Sequence, residues 1–122
     1  MAHVLIAEDE AFTAMALVDA ITGRGHTVKD AADGAIAIRL LGDFQADLVI
    51  TDLMMPNISG AELIAFLDSR PGPQVPVIVI SGVPEVMLPA GLRYDAYVGK
   101  PIDHQILSLQ IDRLTQADGQ AG

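Results

Sequence analysis

Leu48-Val49-Ile50-Thr51-Asp52-Leu53-Met54-Met55-Pro56 is a short apolar run that ends on an aspartate and then a proline. So short a run, rich in β-branched residues, suits a strand, and unbroken apolarity suits one covered on both faces. Similar runs stand at Val4–Ala7, around Val28, at Val75–Ile80 and at Ala96–Val98. Helical spacing fills the intervals. Residues 10–23 carry Phe12, Met15, Leu17, Val18 and Ile21 and stop at Gly23. Residues 33–42 carry Ala35, Ile36, Ile38, Leu40 and Leu41 and again end in glycine. Residues 59–69 open on Ser59 with Glu62 three places on, the signature of a capping box. Residues 103–117 open on Asp103 and continue through Ile106, Leu107, Leu109, Ile111 and Leu114. Residues 82–93 hold Gly82, Pro84, Pro89 and Gly91, so they admit only a short, irregular helix. Alternation of strand and helix predicts an α/β domain with a parallel sheet and helices on both faces.

The composition narrows the function. The 122 residues suit one domain, expected over 1–117, with 118–122 as a disordered tail. There is no cysteine, hence no disulfide framework and no thiolate chemistry. A net charge of −9, with the basic residues scattered, argues against a nucleic-acid surface. No apolar run reaches the roughly 18–20 residues of a membrane span, and Met1-Ala2-His3 is not a charged leader. A cytoplasmic protein is expected. His3, His26 and His104 show neither ligand spacing nor a carboxylate partner in the sequence, and Pro56 and Gly60 read as turn residues.

In an open parallel sheet, ligands bind beyond the carboxyl ends of the strands. Beyond the first run stand Glu8, Asp9 and Glu10; beyond the third, Asp52; beyond the fourth, Ser81; beyond the fifth, Lys100 and Pro101. These residues must converge on one rim. Carboxylates so crowded call for a hard divalent cation, for which Mg²⁺ (or Mn²⁺) is suited. A carboxylate beside such an ion can attack phosphorus and become an acyl phosphate, while a lysine and a hydroxyl neutralise the phosphoryl oxygens. On this reading Glu8 and Asp9 are metal ligands, Asp52 the nucleophile, Lys100 the cation and Ser81 the hydroxyl donor.

The set Ile6-Ala7-Glu8-Asp9-Glu10, Asp52-Leu53-Met54-Met55-Pro56 with Gly60, Val79-Ile80-Ser81-Gly82 and Tyr97-Val98-Gly99-Lys100-Pro101 resembles the receiver domain of two-component response regulators. The resemblance spans residue 3 to about 116. It implies a flavodoxin-like (βα)5 three-layer sandwich with strand order 2-1-3-4-5. It implies Asp52 as phosphoacceptor, Mg²⁺ held by Asp9, Glu8, Asp52 and the backbone carbonyl of Met54, and Ser81 and Lys100 on the phosphoryl group. Ser81 and Tyr97 fall at the family's switch positions, and the Lys100–Pro101 bond at one that is often cis. Glu10, Thr13 and Ala16 fall on the end of the first helix that faces the histidine donor. The implied function is a stand-alone phosphoacceptor, not an enzyme, acting in two-component signal transduction. It takes a phosphoryl group from a histidine kinase or histidine phosphotransfer protein. It then signals by contact with a downstream protein, as a monomer or weak dimer, or acts as a phosphate shuttle or sink.

Two features depart from the family pattern. Ser81 to Lys100 is a short interval containing two prolines, which argues against the usual dimer through the fourth helix. Met54 and Val83, two places beyond Asp52 and Ser81, are apolar and cannot orient water, which predicts slow loss of the phosphoryl group. Competing readings are weaker. An aspartyl-phosphate phosphatase of the haloacid-dehalogenase type needs an acid where Met54 stands. A flavin-mononucleotide binder would have its phosphate repelled by Glu8-Asp9-Glu10. An unphosphorylated interaction module has no need of the acids or the lysine.

Overall fold

The computed structural model describes residues 1–119, of which 116–119 by backbone alone. Five strands form one parallel sheet: β1 (His3–Ala7), β2 (Thr27–Ala31), β3 (Leu48–Asp52), β4 (Val77–Ser81) and β5 (Ala96–Gly99). Their order across the sheet is β2-β1-β3-β4-β5, as expected. Among the described residues there are four α-helices: α1 (Ala11–Gly23), α2 (Gly34–Leu41), α3 (Gly60–Ser69) and α4 (His104–Gly119).

The side-chain alternation of each strand divides the core into two halves. Leu5, Ala7, Val49, Val77 and Val79 face Leu41 of α2 and Leu63 and Leu67 of α3. Val4, Ile6, Leu48, Ile50, Ile78 and Ile80 face Leu17 and Ile21 of α1 and Leu107 and Ile111 of α4. The domain is therefore three-layered. Burying each of these large side chains stabilises the fold by about 1.5–3 kcal/mol relative to leaving it exposed. β3 and β4 lie in the middle and are buried throughout, whereas the edge strand β2 exposes Lys29 and Asp30.

Local chemistry sets the boundaries. Asp33 caps α2 by accepting from Ile36 N (2.8 Å). Ser59 and Glu62 form the expected capping box at α3, with Ser59 N donating to Glu62 Oε1 (3.0 Å) and Glu62 N to Ser59 Oγ (3.2 Å). Asp103 accepts from Gln105 N and Ile106 N at the start of α4. The fourth crossover is reduced to a 3₁₀ turn at Glu85–Met87, as the prolines and glycines required. Tyr97 donates its hydroxyl to the Val83 carbonyl, and Tyr94 donates to Glu85 Oε2 (2.9 Å). Two tyrosines thus help to hold this segment, with Leu88 and Leu92 half-buried against the core.

Several expectations need correction. Asp52 and Ser81 are the last residues of their strands rather than the first beyond them, because β3–β4 and β4–β5 pairing extends through Asp52↔Ile80 and Ser81↔Gly99. Phe12 and Met15 do not join the core: only Ala14, Leu17 and Ile21 of α1 are buried, and Phe12 is 84% exposed. Ile106 and Leu109 of α4 are exposed as well. Gly60 is the first residue of α3, not a turn residue; a Cβ there would lie 2.2 Å from Asp52 O. His3 does meet a carboxylate, Asp47, at 3.5 Å. α4 runs through Gly119, and residues 120–122 of the expected tail lie outside the described residues.

Candidate phosphoryl-transfer site

The carboxyl ends of β1, β3, β4 and β5 carry the polar residues that interrupt an apolar core. Glu8 follows β1 directly and is 2% exposed, its amide donating to Ala31 O (3.0 Å). Glu8 Oε2 accepts from Glu10 N (2.9 Å). Asp52 ends β3 and is also buried; its Oδ1 accepts from Met54 N (3.2 Å). Thr51, buried beneath it, donates to Asp52 O (2.8 Å) and fixes the backbone there. Ser81 ends β4, buried, with Oγ accepting from Val83 N (3.0 Å).

Lys100 enters from β5. Its amide donates to Ser81 O (2.8 Å), and the Lys100–Pro101 bond is cis. Lys100 Nζ stands 2.7 Å from Asp52 Oδ2, as a hydrogen bond, and 2.8 Å from Glu8 Oε1. The second contact is off-line: Glu8 Oε1 is buried and receives no aligned hydrogen bond. One ammonium therefore serves two buried carboxylates. Asp9, exposed, completes the cluster, and carboxylate oxygens of Glu8, Asp9 and Asp52 come within 4.8 Å of one another.

The electrostatics follow from burial. Loss of water pushes the Glu8 carboxyl above its ordinary range, and the Asp52 charge adds to this, while Lys100 and the Glu10 amide partly oppose it. Burial works against the Lys100 charge, but its pairing with Asp52 and then Glu8 outweighs it and raises the pKa. Three carboxylates against one ammonium leave the site short of positive charge.

The sequence model of the response regulator receiver domain matches residues 4–112. The chain belongs to the response regulator receiver family. It is 42% identical over 79 residues to the "Regulator of RpoS" of Escherichia coli K12, an alignment covering 65% of this chain and 23% of that protein. It is 32% identical over 114 residues to the "Transcriptional regulatory protein AfsQ1" of Streptomyces coelicolor, covering 91% of this chain and 50% of the other. The receiver thus spans half or less of these relatives. Among solved structures, the signal receiver domain of a signal transduction histidine kinase from Syntrophus aciditrophicus superposes with a TM-score of 0.88 at 26% identity, covering 96% of this chain and 92% of that one. Receivers are phosphoacceptors of two-component phosphorelays that bind Mg²⁺ at an acidic pocket.

The residues present fit such an ion. Glu8 Oε1 is buried without an aligned hydrogen bond, the cluster is all oxygen, and three carboxylates face a single ammonium. The other residues singled out from the sequence are placed as follows. Glu10, Thr13 and Ala16 share one cleft of about 560 Å³ with Lys100. Thr13 Oγ1 donates to Glu10 Oε1 in its wall. Phe12, Ile102 and His104 line the same cleft, as does Pro101, and the first three were not expected at the site. Only the exposure of Phe12 could have flagged them, and helical periodicity alone does not give it. Tyr97 is half-buried, its hydroxyl on Val83 O rather than on Ser81. Among the described residues, no helix is long and apolar enough to cross a membrane.

Proposed function

We propose that this receiver accepts a phosphoryl group on Asp52 from a phosphohistidine of a histidine kinase or histidine phosphotransfer protein. The observation that carries the reading is Lys100 Nζ held between Asp52 Oδ2 (2.7 Å) and Glu8 Oε1 (2.8 Å), with Asp9 beside them. Glu8, Asp9, Asp52 and the Met54 carbonyl would hold Mg²⁺, which supplies charge neutralisation at the phosphoryl oxygens. A carboxylate oxygen of Asp52 attacks phosphorus. The O–P bond forms as the N–P bond breaks, and the imidazole leaves with the electron pair. Lys100 already pairs with Asp52 and stays with the charge as it moves onto the phosphoryl oxygens. Ser81, next to it on β4, turns its hydroxyl from an acceptor of Val83 N into a donor to the phosphoryl group. The cleft of Glu10, Phe12, Thr13, Ala16 and Ile102 opens beside Lys100 and suits the helix that carries the donor histidine. The signal then passes by contact with a downstream protein.

The test is the intact mass of the chain after incubation with acetyl phosphate. A gain of one phosphoryl group that requires Mg²⁺ and is absent from Asp52→Asn is expected. A folded chain that gains none, or an Asp52→Asn chain that gains as much, overturns the reading.

A further inference from the structure

Beside the residues that follow Asp52 lies a second groove. Leu53, Met54, Ala61, Val83, Met87 and Pro89 line it, and it measures about 300 Å³. It shares no lining residue with the α1 cleft. Its walls are unusually apolar for an outer surface: Met54 is 73% exposed, Met87 69%, and neighbouring Val86 87%. Exposed apolar side chains gathered in this way mark an interaction site, and methionine suits one because it adapts to what it meets. Met87 of the 3₁₀ turn that replaces a full fourth helix forms part of its wall.

The charges around it decide what fits. Both walls come from residues 40–69 and 71–92, which contain no lysine or arginine. Glu62 and Glu85 are exposed, one beside each wall. Of the cations flanking these stretches, Arg39 stands in the last turn of α2 and the others are engaged elsewhere. Arg70 lies over the Phe66 ring, Arg93 pairs with Asp68 and Asp95, and Lys100 with Glu8 and Asp52. A second copy of a chain of net charge −9 would bring the same acids to the same place. We infer that this groove docks a basic segment of a partner protein, an apolar side chain seated among Met54, Val83 and Met87 and flanked by Lys or Arg facing Glu62 and Glu85. The α1 cleft stays open meanwhile, so donor and partner can occupy the receiver together.

The methionine methyl groups provide the test. The chain labelled with ¹³C-methyl methionine is titrated, with Mg²⁺ present, with a synthetic peptide of about 15 residues carrying Leu at i and i+3 between Lys and Arg. A second peptide replaces every Lys and Arg by Glu. Saturable shifts of Met54 and Met87 are expected with the basic peptide only, while Met15 on α1 stays in place. Ala61→Lys, which keeps both reporting methyls, should weaken binding at least about fivefold. The inference is overturned by shifts as large at Met15 as at Met54, by equal binding of the acidic peptide, by unchanged affinity in Ala61→Lys, or by no saturation below about 1 mM. Each reading is made on the unphosphorylated chain and so stands apart from the fate of Asp52.

Discussion

Gly60→Ala isolates how the phosphoacceptor loop is built. Gly60 opens α3, and its amide donates to Leu53 O (3.0 Å), so the helix begins directly against the end of β3. A Cβ at this position would lie 2.2 Å from Asp52 O and 2.8 Å from Leu53 Cα. Both neighbours are backbone, so no side chain can turn aside. Restoring ordinary contact needs roughly 1 Å of movement between α3 and the strand end, at an expected cost of about 3 kcal/mol or more. That is a large share of the roughly 5–15 kcal/mol that holds a domain together, and it should lower Tm by about 10 °C. Gly82→Ala is the control: nothing lies within 4 Å of a Cβ there, and the backbone is not left-handed. It should be neutral or raise stability by up to about 1 kcal/mol. Urea unfolding of the two variants gives the stabilities, and mass after acetyl phosphate gives the phosphorylation rate. Gly60→Ala should lose both, since the carbonyl it strikes belongs to Asp52. A loss below about 1 kcal/mol would refute the argument from close approach.

Other perturbations read the site directly. Lys100→Met removes the ammonium that competes for Glu8 and Asp52; calorimetry should show Mg²⁺ bound at least about threefold more tightly while acetyl phosphate labels the chain far more slowly. Met54→Asn with Val83→Glu supplies polar groups that can orient water, so the phosphoryl lifetime should shorten by about tenfold or more, followed by mass against time. His26 is held neutral, its pKa lowered by burial and then by the positive N-terminal amine, while Nδ1 accepts from Ala2 N (3.1 Å). Because the unfolded chain takes up this proton more readily, the stability His26 contributes above pH 6.5 is lost as pH falls through its folded pKa. His26→Gln should flatten that part of the fall in urea midpoint on acidification.

Asp52, Glu8, Asp9, Ser81 and Lys100 were legible because each is polar at the end of an apolar strand, and parallel topology brings strand ends together whatever lies between. The reduced fourth crossover was legible because Pro84 and Pro89 remove amide donors that a helix needs. α1 was not. It is apolar nearly all round, so periodicity could not separate buried Leu17 and Ile21 from exposed Phe12 and Met15. Gly60 was misread for a similar reason. A glycine in sequence announces freedom of the backbone, whereas here it answers a neighbour distant along the chain, and only coordinates reveal that. The strand ends extended further than apolarity suggested because ladder pairing, not side-chain character, decides where a strand stops.

The segment after β4 has a kinetic consequence. From Gly82 to Leu92 no residue is fully buried; Leu88 and Leu92 are half-buried against the core, and the side chains that hydrogen-bond the segment from outside are Ser81, Tyr94 and Tyr97. A stretch with so little apolar area to surrender opens locally at a small fraction of the global unfolding free energy. Its amides should exchange with solvent through brief excursions, while those of β4, a few residues away, wait for the whole sheet to come apart. The rim of the phosphoryl site is thus a junction between slowly and rapidly exchanging backbone.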